Sequence, residues 1–349
     1  MVVVGIVIAS LLGGLAAWWI YRKPRTPLAS RRTAASINSR GGAPASVPDA
    51  ARAELANNLV TERLWQLAFA ATPTPKLLEP AHARVRDAVS AVLQADTLDP
   101  KYFPRRPTLM PQLLRAVDDP RSATDKLSRI VAHDPVLTSD VLRLANSPIY
   151  RTSTAPIETI QRAIVVLGVD ALRGLVATAM LQPVFRATRS NFPRFPRMLW
   201  ERTERAARAA ELYALKALPQ DRFEAQLLIL LSALGPLVVY GATLDVYSQR
   251  PRLTPSPTLF VSLTAALGPQ VSLRIAQHWE TSPRLVAAIE RSPGEALTMA
   301  LCAGELLGTL SLLQTQNVIT ADEGLATAND IGLAETVVAP IWERLTTGQ

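Results

Sequence analysis

Apolar residues recur at helical spacing through the middle of the chain. Between Val136 and Ala145 they form a stripe with the period of one helix face. Asp134 can accept hydrogen bonds from the first backbone N–H groups of this helix, and Pro135 needs no donor at the first helical position. The run Asn146-Ser147-Pro148 ends the helix, because the residue before a proline is pushed out of the helical region. The pattern therefore predicts a short helix with a defined start and end.

The same spacing continues on both sides. Upstream, residues 123–133 carry an apolar face, and downstream residues 157–168 carry another that Gly168 ends. A proline-rich break at residues 191–196 is the expected internal boundary. No run alternates with period two, so the part after the N-terminus is predicted to be all-α. Further helices are expected at residues 49–71, 80–94, 107–117, 170–185, 197–217, 221–233, 237–240, 256–267, 269–279, 283–290, 293–314 and 334–346.

The N-terminus has the features of one transmembrane helix. Val2 to Ile20 is free of charged side chains, and 19 residues at about 1.5 Å each can cross a bilayer core. Trp18, Trp19 and Tyr21 suit the interface, and a basic cluster begins at Arg22. A cleaved signal peptide would carry positive charge before the apolar run. We therefore expect an uncleaved single-pass anchor, with the N-terminus outside and the domain in the cytoplasm.

Small residues recur every four positions in this segment, at Gly5, Ala9, Gly13 and Ala17. Such a face allows two anchors to pack closely, so a homodimer through these residues is one hypothesis. The alternative is that Gly and Ala are simply frequent in membrane helices. Residues 22–48 lack an apolar period and are rich in Ser, Ala, Gly, Pro and Arg, which indicates a flexible basic linker.

The basic charge belongs to this tail. The net charge is +8, and residues 1–48 hold six basic and no acidic side chains, which leaves +2 for the rest. Nucleic acid is therefore not expected as a partner. The single cysteine, Cys302, excludes an internal disulfide framework. It lies in an apolar run, which indicates a buried and inert thiol.

Several short motifs occur in one order around the central helix. They are Asp134-Pro135-x-Leu137-Thr138, then Leu142-Arg143-Leu144-Ala145-Asn146-Ser147, then Ile157-x-x-Ile160-x-x-Ala163-Ile164-x-x-Leu167-Gly168. Together they resemble the HDOD domain of bacterial signalling proteins, from about Phe103 to Phe185 and more weakly to Ser292. The resemblance implies an all-α fold distantly related to HD-type phosphohydrolases, with a regulatory role more usual than a catalytic one. Its motif residues here are Asp134, Pro135, Leu142, Asn146, Ser147, Leu167 and Gly168.

The expected organisation follows from these boundaries. It comprises an anchor at residues 1–21, a linker at 22–48, an N-terminal helical extension at 49–100, an HDOD-like domain at 101–292 and C-terminal helices at 293–349. Within the HDOD-like domain we expect a helical lobe at 101–190 and a degenerate HD-like lobe at 196–292.

An HD-type hydrolase holds one or two divalent metals with a His, an adjacent His-Asp pair and a further Asp. The resemblance places the first His at Arg202 and the His-Asp pair at Ser232-Ala233, and where a His pair often follows Trp279 and Pro283 this chain has Arg291-Ser292. A guanidinium and an alanine side chain cannot bind a divalent cation, so we expect neither a metal, a cofactor nor catalytic residues. The literal pair His133-Asp134 is explained by helix capping instead.

Two other arginines, Arg143 and Arg173, lie in otherwise apolar helices. One interpretation is that their aliphatic stems pack while their heads reach water or carboxylates. The other is that they contact an anion or a partner protein, as Arg202 would also do.

The sequence thus predicts a non-enzymatic signalling, regulatory or scaffolding module on the bacterial inner membrane. Its partner would be an unknown cytoplasmic signalling protein, bound through the helices around residues 134–168 and the lobe after Pro196. One alternative is a metal-dependent phosphohydrolase acting on nucleotides or cyclic nucleotides. The other is a metal-free sensor of a nucleotide second messenger, in which Arg202 contacts phosphate.

Overall fold

The computed structural model describes residues 50–70, 80–97, 99–115, 127–132, 134–151, 155–185, 192–292, 295–330 and 335–346. All of these residues lie in one compact unit, which spans Ala45 to Gln349. The expected anchor, its small-residue face and the basic linker lie outside the described residues, as does His133.

The described residues form helices and no strands, which confirms the all-α prediction. In chain order the helices are α1 (Ala50–Phe69), α2 (Pro80–Gln94), α3 (Met110–Arg115), α4 (Pro135–Ala145), α5 (Ile160–Leu167), α6 (Val169–Leu181), α7 (Arg194–Ala217), α8 (Arg222–Ser248), α9 (Pro257–His278), α10 (Pro283–Ile289), α11 (Ala296–Thr315), α12 (Ala321–Asp330) and α13 (Glu335–Thr346). Residues 127–132 are also helical, and 3₁₀ turns occupy Gln182–Phe185 and Pro219–Asp221.

Local caps fix the short central helices. The Asp134 carboxylate accepts from the backbone N–H groups of Val136 and Leu137 at 2.9 and 3.0 Å, so α4 begins as predicted. Helix α5 begins three residues later than expected, because Thr159 acts as its N-cap. Gly168 separates α5 from α6 with a φ of +85°, a conformation that favours glycine.

Two prolines predicted to divide helices lie inside continuous ones. Helix α8 passes through Pro236, and α9 passes through Pro269. Pro236 has no N–H for the carbonyl of Ser232 four residues earlier. The Ser272 hydroxyl of α9 donates to that carbonyl at 2.8 Å and accepts from the Gly235 N–H at 3.1 Å. A side chain on the neighbouring helix thereby restores the hydrogen bonding that the proline removes.

Helices α7, α8, α9 and α11 form the centre of the domain. Helices α7 and α11 pack closely because glycine faces backbone at their crossing. A Cβ on Gly304 would lie 2.8 Å from the carbonyl oxygen of Ala206, and one on Gly308 would lie 2.5 Å from the nitrogen of the same residue. The N-terminal helix α1 joins this core through Phe69, whose ring stacks on Phe195 at 4.4 Å.

Three of the core segments are long and apolar enough to cross a membrane by length and composition: Pro219–Ser248, Ala296–Thr315 and α9. Between 61 and 89% of their apolar windows is buried inside the domain. Packing against other helices therefore explains their apolar composition.

Candidate functional site

A cavity of about 550 Å³ opens between α1 and α9, with α7, α8 and α11 beneath it. Its interior contains the buried side chains of Asn57, Trp65, Arg202 and Glu305. The residues at its mouth are exposed to solvent, and they are Asn58, Glu62, Ser262, Ala265, Ala266 and Pro269. The cavity therefore has a solvent-facing entrance and a polar interior.

The interior is organised around the carboxylate of Glu305. Its Oε2 accepts hydrogen bonds from Asn57 Nδ2 at 2.7 Å and from Arg291 Nη2 at 3.0 Å. Its Oε1 lies 3.7 Å from Arg202 Nη2. Arg291 also donates to the sulfur of Cys302 at 2.8 Å. Two of the positions that sequence reasoning selected, Arg202 and Arg291, thus meet at one carboxylate.

Arg202 is held tightly by its surroundings. It is 3% exposed, its Nε donates to Thr309 Oγ1 at 2.9 Å, and its guanidinium lies 5.7 Å from the centre of the Trp65 ring. Burial lowers the pKa of Arg202 and the Glu305 carboxylate opposes this. An arginine nevertheless stays protonated in proteins.

Glu305 is the main site residue that sequence reasoning missed. Burial alone would raise its pKa, but Arg291 and Arg202 outweigh that effect and hold the pKa below its ordinary value. Glu305 therefore carries a negative charge inside the domain. The sequence did contain a signal, since this is the only charged side chain in the twenty residues of α11.

The other two positions of the expected degenerate site differ from each other. Ser232 lines the cavity, and its hydroxyl donates to the carbonyl of Ile229 at 2.9 Å. Ala233 is fully buried in the core and does not line the cavity. The structure therefore brings together Arg202, Ser232 and Arg291, and leaves Ala233 in the packing of α8.

These side chains do not fit the divalent metal that HD-type enzymes use. The carboxylates along the cavity are Glu305, which two arginines approach, and Glu62 at the mouth. A divalent cation beside Glu305 would be repelled by Arg202 and Arg291 and would compete with them for the carboxylate. Elsewhere in the described residues no three His, Cys, Asp or Glu side chains converge.

The motif residues of α4 to α6 lie away from this cavity, and they hold their own segment together. The Asn146 amide donates to the carbonyls of Leu142 and Ile157 at 2.9 and 2.8 Å, and its oxygen accepts from the Ile157 N–H at 2.8 Å. Leu142 and Leu167 are half-buried and pack against the core. The backbone N–H of Ser147 donates to Leu144 in the turn after α4.

Arg143 and Arg173 have different environments. Arg143 is exposed, and its Nη2 donates to Asp140 at 3.0 Å and to Gln182 at 2.7 Å. Arg173 is buried, where it donates to the Leu113 carbonyl at 2.8 Å and lies 4.0 Å from the Phe223 ring centre. These contacts favour a structural role for Arg173 and leave Arg143 accessible at the surface.

A second buried ionic cluster lies between α7 and the start of α8. Glu211, which is fully buried on α7, accepts from Arg208 and Arg222. The Arg208 guanidinium also lies 5.4 Å from the ring centre of Tyr150, in the turn after α4. This cluster does not line the cavity, and its contacts are those of a structural connection.

Comparison with known proteins gives a consistent picture. The HDOD domain profile matches residues 103–293. A candidate metal-dependent phosphohydrolase from Shewanella amazonensis SB2B shares the fold with a TM-score of 0.54 and 15% identity, covering 77% of this chain and 99% of that one. An HDOD domain protein of unknown function from Geobacter sulfurreducens gives a TM-score of 0.50 and 19% identity, with coverages of 77% and 89%. Among curated proteins, none matches the sequence. Identities this low show the fold alone.

Proposed function

This chain belongs to the HDOD domain family, and from that premise we propose that it is a non-enzymatic signalling or scaffolding module that binds another protein at a membrane. The observation that supports the non-enzymatic part is the pairing of Arg202 and Arg291 with Glu305. Two guanidinium groups and their carboxylate occupy the region where the resemblance places metal ligands. The cavity is therefore present, but the side chains that line it do not supply a set of ligands for a metal.

The alternative is a metal-dependent phosphohydrolase, and metal analysis distinguishes the two. We expect the purified full chain to contain Fe, Mn and Zn well below one equivalent. Added Mn²⁺ should leave hydrolysis of a generic phosphodiester at background. Stoichiometric metal that a Glu305→Ala substitution removes would favour the enzyme instead.

A protein partner is supported by apolar side chains exposed on the motif helices. Val136 on α4 is 71% exposed, and Val165 on α5 is 75% exposed. Exposed single apolar residues are common, but these two belong to the helices that carry the family motif. We propose that they contribute to the partner-binding surface, with Arg143 nearby in α4 as a polar contact.

Surface variants test this proposal without disturbing the core. The full chain is extracted in detergent, and proteins that co-purify after crosslinking are compared for wild type and Val165→Asp or Val136→Asp. A genuine partner should be lost from both variants while the circular dichroism spectra stay unchanged. The matched control is Leu59→Asp on α1, where a 62% exposed leucine lies outside the motif. Equal loss in the control, or no loss in either variant, would contradict the assignment.

The place of action is proposed from the first residues. Val2 to Ile20 would anchor the chain in the bacterial inner membrane, with the N-terminus outside and the domain in the cytoplasm. Deletion of residues 2–20 should move the protein from the membrane pellet to the soluble fraction after alkaline extraction. Retention in the pellet would show that another segment binds the membrane. Crosslinking through a single cysteine placed at Ala9 would test the anchor dimer.

A further inference from the structure

One residue that lines the cavity has a buried hydroxyl without a hydrogen-bond partner. Thr264 lies on α9, lines the cavity and is 2% exposed. Its Oγ1 neither donates nor accepts a hydrogen bond within the described part of the chain. Burial of an unsatisfied hydroxyl is unfavourable, and such groups are rare in folded proteins. Rotation of the Thr264 side chain about χ1 would turn this hydroxyl toward the cavity, where a ligand would supply the missing partner.

A second polar group in the cavity also has unused capacity. The Arg202 guanidinium offers five N–H donors, and its one hydrogen bond to a described residue runs from Nε to Thr309. The nearest carboxylate oxygen, Glu305 Oε1, is 3.7 Å from Nη2, which is too long for a hydrogen bond. The two terminal nitrogens of Arg202 therefore retain donors for an additional acceptor.

The position of Glu305 explains how these donors stay available. Asn57 and Arg291 both bind Oε2 and thereby fix the carboxylate. Glu305 balances part of the charge on Arg202 at 3.7 Å but takes up none of its hydrogen bonds. The guanidinium is held in one orientation by Thr309 and Trp65. A planar, oriented guanidinium is well suited to binding a carboxylate or phosphate through two parallel hydrogen bonds.

We propose that this cavity is a metal-free binding site for a small organic oxyanion, a carboxylate or a phosphate monoester. The anionic head would bind the terminal nitrogens of Arg202, and a polar group on the body of the ligand would pair with the Thr264 hydroxyl. A volume of about 550 Å³ lies within the range of small-molecule sites, roughly 300–1,000 Å³. The site is separate from the surface formed by Val136 and Val165, and it does not depend on the protein-binding role proposed above.

Calorimetric titration of the full chain in detergent tests the site. Sodium phosphate, citrate and adenosine monophosphate serve as probes at constant ionic strength, on protein that has been treated with EDTA and then separated from it by gel filtration. At least one probe should bind saturably with one equivalent. Phosphate or citrate binding would indicate recognition of the anionic head alone, whereas binding of adenosine monophosphate alone would identify a nucleotide. Both results support the proposal, and absence of saturable binding by all three probes overturns it.

Two substitutions locate the binding. Arg202→Met should weaken it about 10- to 100-fold, because hydrogen bonds to charged groups contribute roughly that much. Thr264→Val should weaken it about 2- to 10-fold while raising the melting temperature of the ligand-free protein, since the unpaired hydroxyl is removed. Because Thr264→Val preserves the shape of the side chain, it tests the site even if Arg202→Met does not fold. Binding that neither change affects, or that appears only when a divalent metal is added back, overturns the proposal.

Control variants separate this site from the other function. Arg197→Met, which makes the same change at an exposed arginine of α7 outside the cavity lining, should leave the affinity for the bound probe unchanged. Val165→Asp should remove the protein partner and keep anion binding. Loss of anion binding in Val165→Asp with retained fold would show that the two sites are not separate, and would contradict the assignment.

Discussion

Arg291 donates a hydrogen bond to Glu305 at 3.0 Å from a backbone position that favours glycine. Its φ is +56°, at the C-terminal end of α10, and the N–H of Ser292 bonds back to the Ala287 carbonyl at 2.9 Å. A non-glycine residue in this conformation is disfavoured. Arg291 keeps this disfavoured backbone conformation, and from it the guanidinium reaches the buried carboxylate of Glu305.

Two substitutions of Arg291 distinguish the energetic cost of its backbone conformation from the contribution of its ion pair to stability. Arg291→Gly and Arg291→Ala both remove the hydrogen bond to Glu305, but glycine adopts the left-handed conformation more easily. We expect the glycine variant to exceed the alanine variant by about 1 kcal/mol in free energy of unfolding. Urea denaturation followed by circular dichroism measures the difference. Equal stability of the two variants would show that the positive φ is relaxed without cost.

Removal of the Glu305 carboxylate should lower the free energy of unfolding by more than this difference between the two Arg291 variants. Glu305→Gln leaves Arg202 and Arg291 without a counter-charge in a buried site, so we expect a loss of about 3 kcal/mol or more in the free energy of unfolding. The double variant Glu305→Gln with Arg202→Met should recover part of that loss, because one uncompensated cation is gone. A double variant no more stable than Glu305→Gln would contradict the proposed charge balance.

Asn146 makes three hydrogen bonds that connect the end of α4 to the segment before α5. Asn146→Ala removes all three, and we expect a loss of about 2–3 kcal/mol in the free energy of unfolding. The amide of Ile157, which bonds to the Asn146 oxygen, should exchange with solvent much faster. Asn146→Asp keeps that acceptor and loses the two donors, so it should protect Ile157 better than alanine does. Unchanged exchange in Asn146→Ala would contradict the bridging role.

The contribution of the Ser272 hydroxyl to stability should depend on the presence of Pro236. Ser272→Ala leaves the Ser232 carbonyl without its 2.8 Å donor, at an expected cost of about 1–3 kcal/mol. Pro236→Ala restores a backbone N–H that can reach the same carbonyl within α8. In that background, Ser272→Ala should cost less. A double-mutant cycle on the free energy of unfolding measures this coupling, and strict additivity would contradict it.

Features of the fold that depend on residues close together in the sequence were predicted correctly. Features that depend on residues far apart in the sequence were not. The caps of α4 at Asp134 and the stop at Gly168 depend on residues within a few positions, and the sequence predicted both. The continuity of α8 was predicted wrongly, because the donor that compensates Pro236 comes from Ser272 on another helix. Glu305 was missed for the same reason, since Asn57 lies 248 positions away along the chain.

The surroundings of Glu204 on α7 make a last prediction possible. Burial raises the pKa of this half-buried carboxyl to about 7, against the opposing effects of a hydrogen bond from Trp200 and of the charges on Arg143 and Arg205. The nearby Glu201 acts in the same direction as burial. The folded state thus binds this proton more tightly than the unfolded state, whose pKa is near 4.5.

The contribution of Glu204 to stability is therefore favourable at low pH and is lost as the pH rises from about 4.5 through 7. Glu204→Gln cannot ionise, so it should exceed wild type by about 1–3 kcal/mol in free energy of unfolding at pH 8. The difference should shrink toward pH 5, as urea denaturation at several pH values would measure. Glu158→Gln, which makes the same charge change at an exposed residue, is the matched control and should not gain stability at pH 8. A Glu204→Gln advantage that stays constant between pH 5 and 8 would show that the gain comes from packing, because only an ionising group produces a difference that follows the pH.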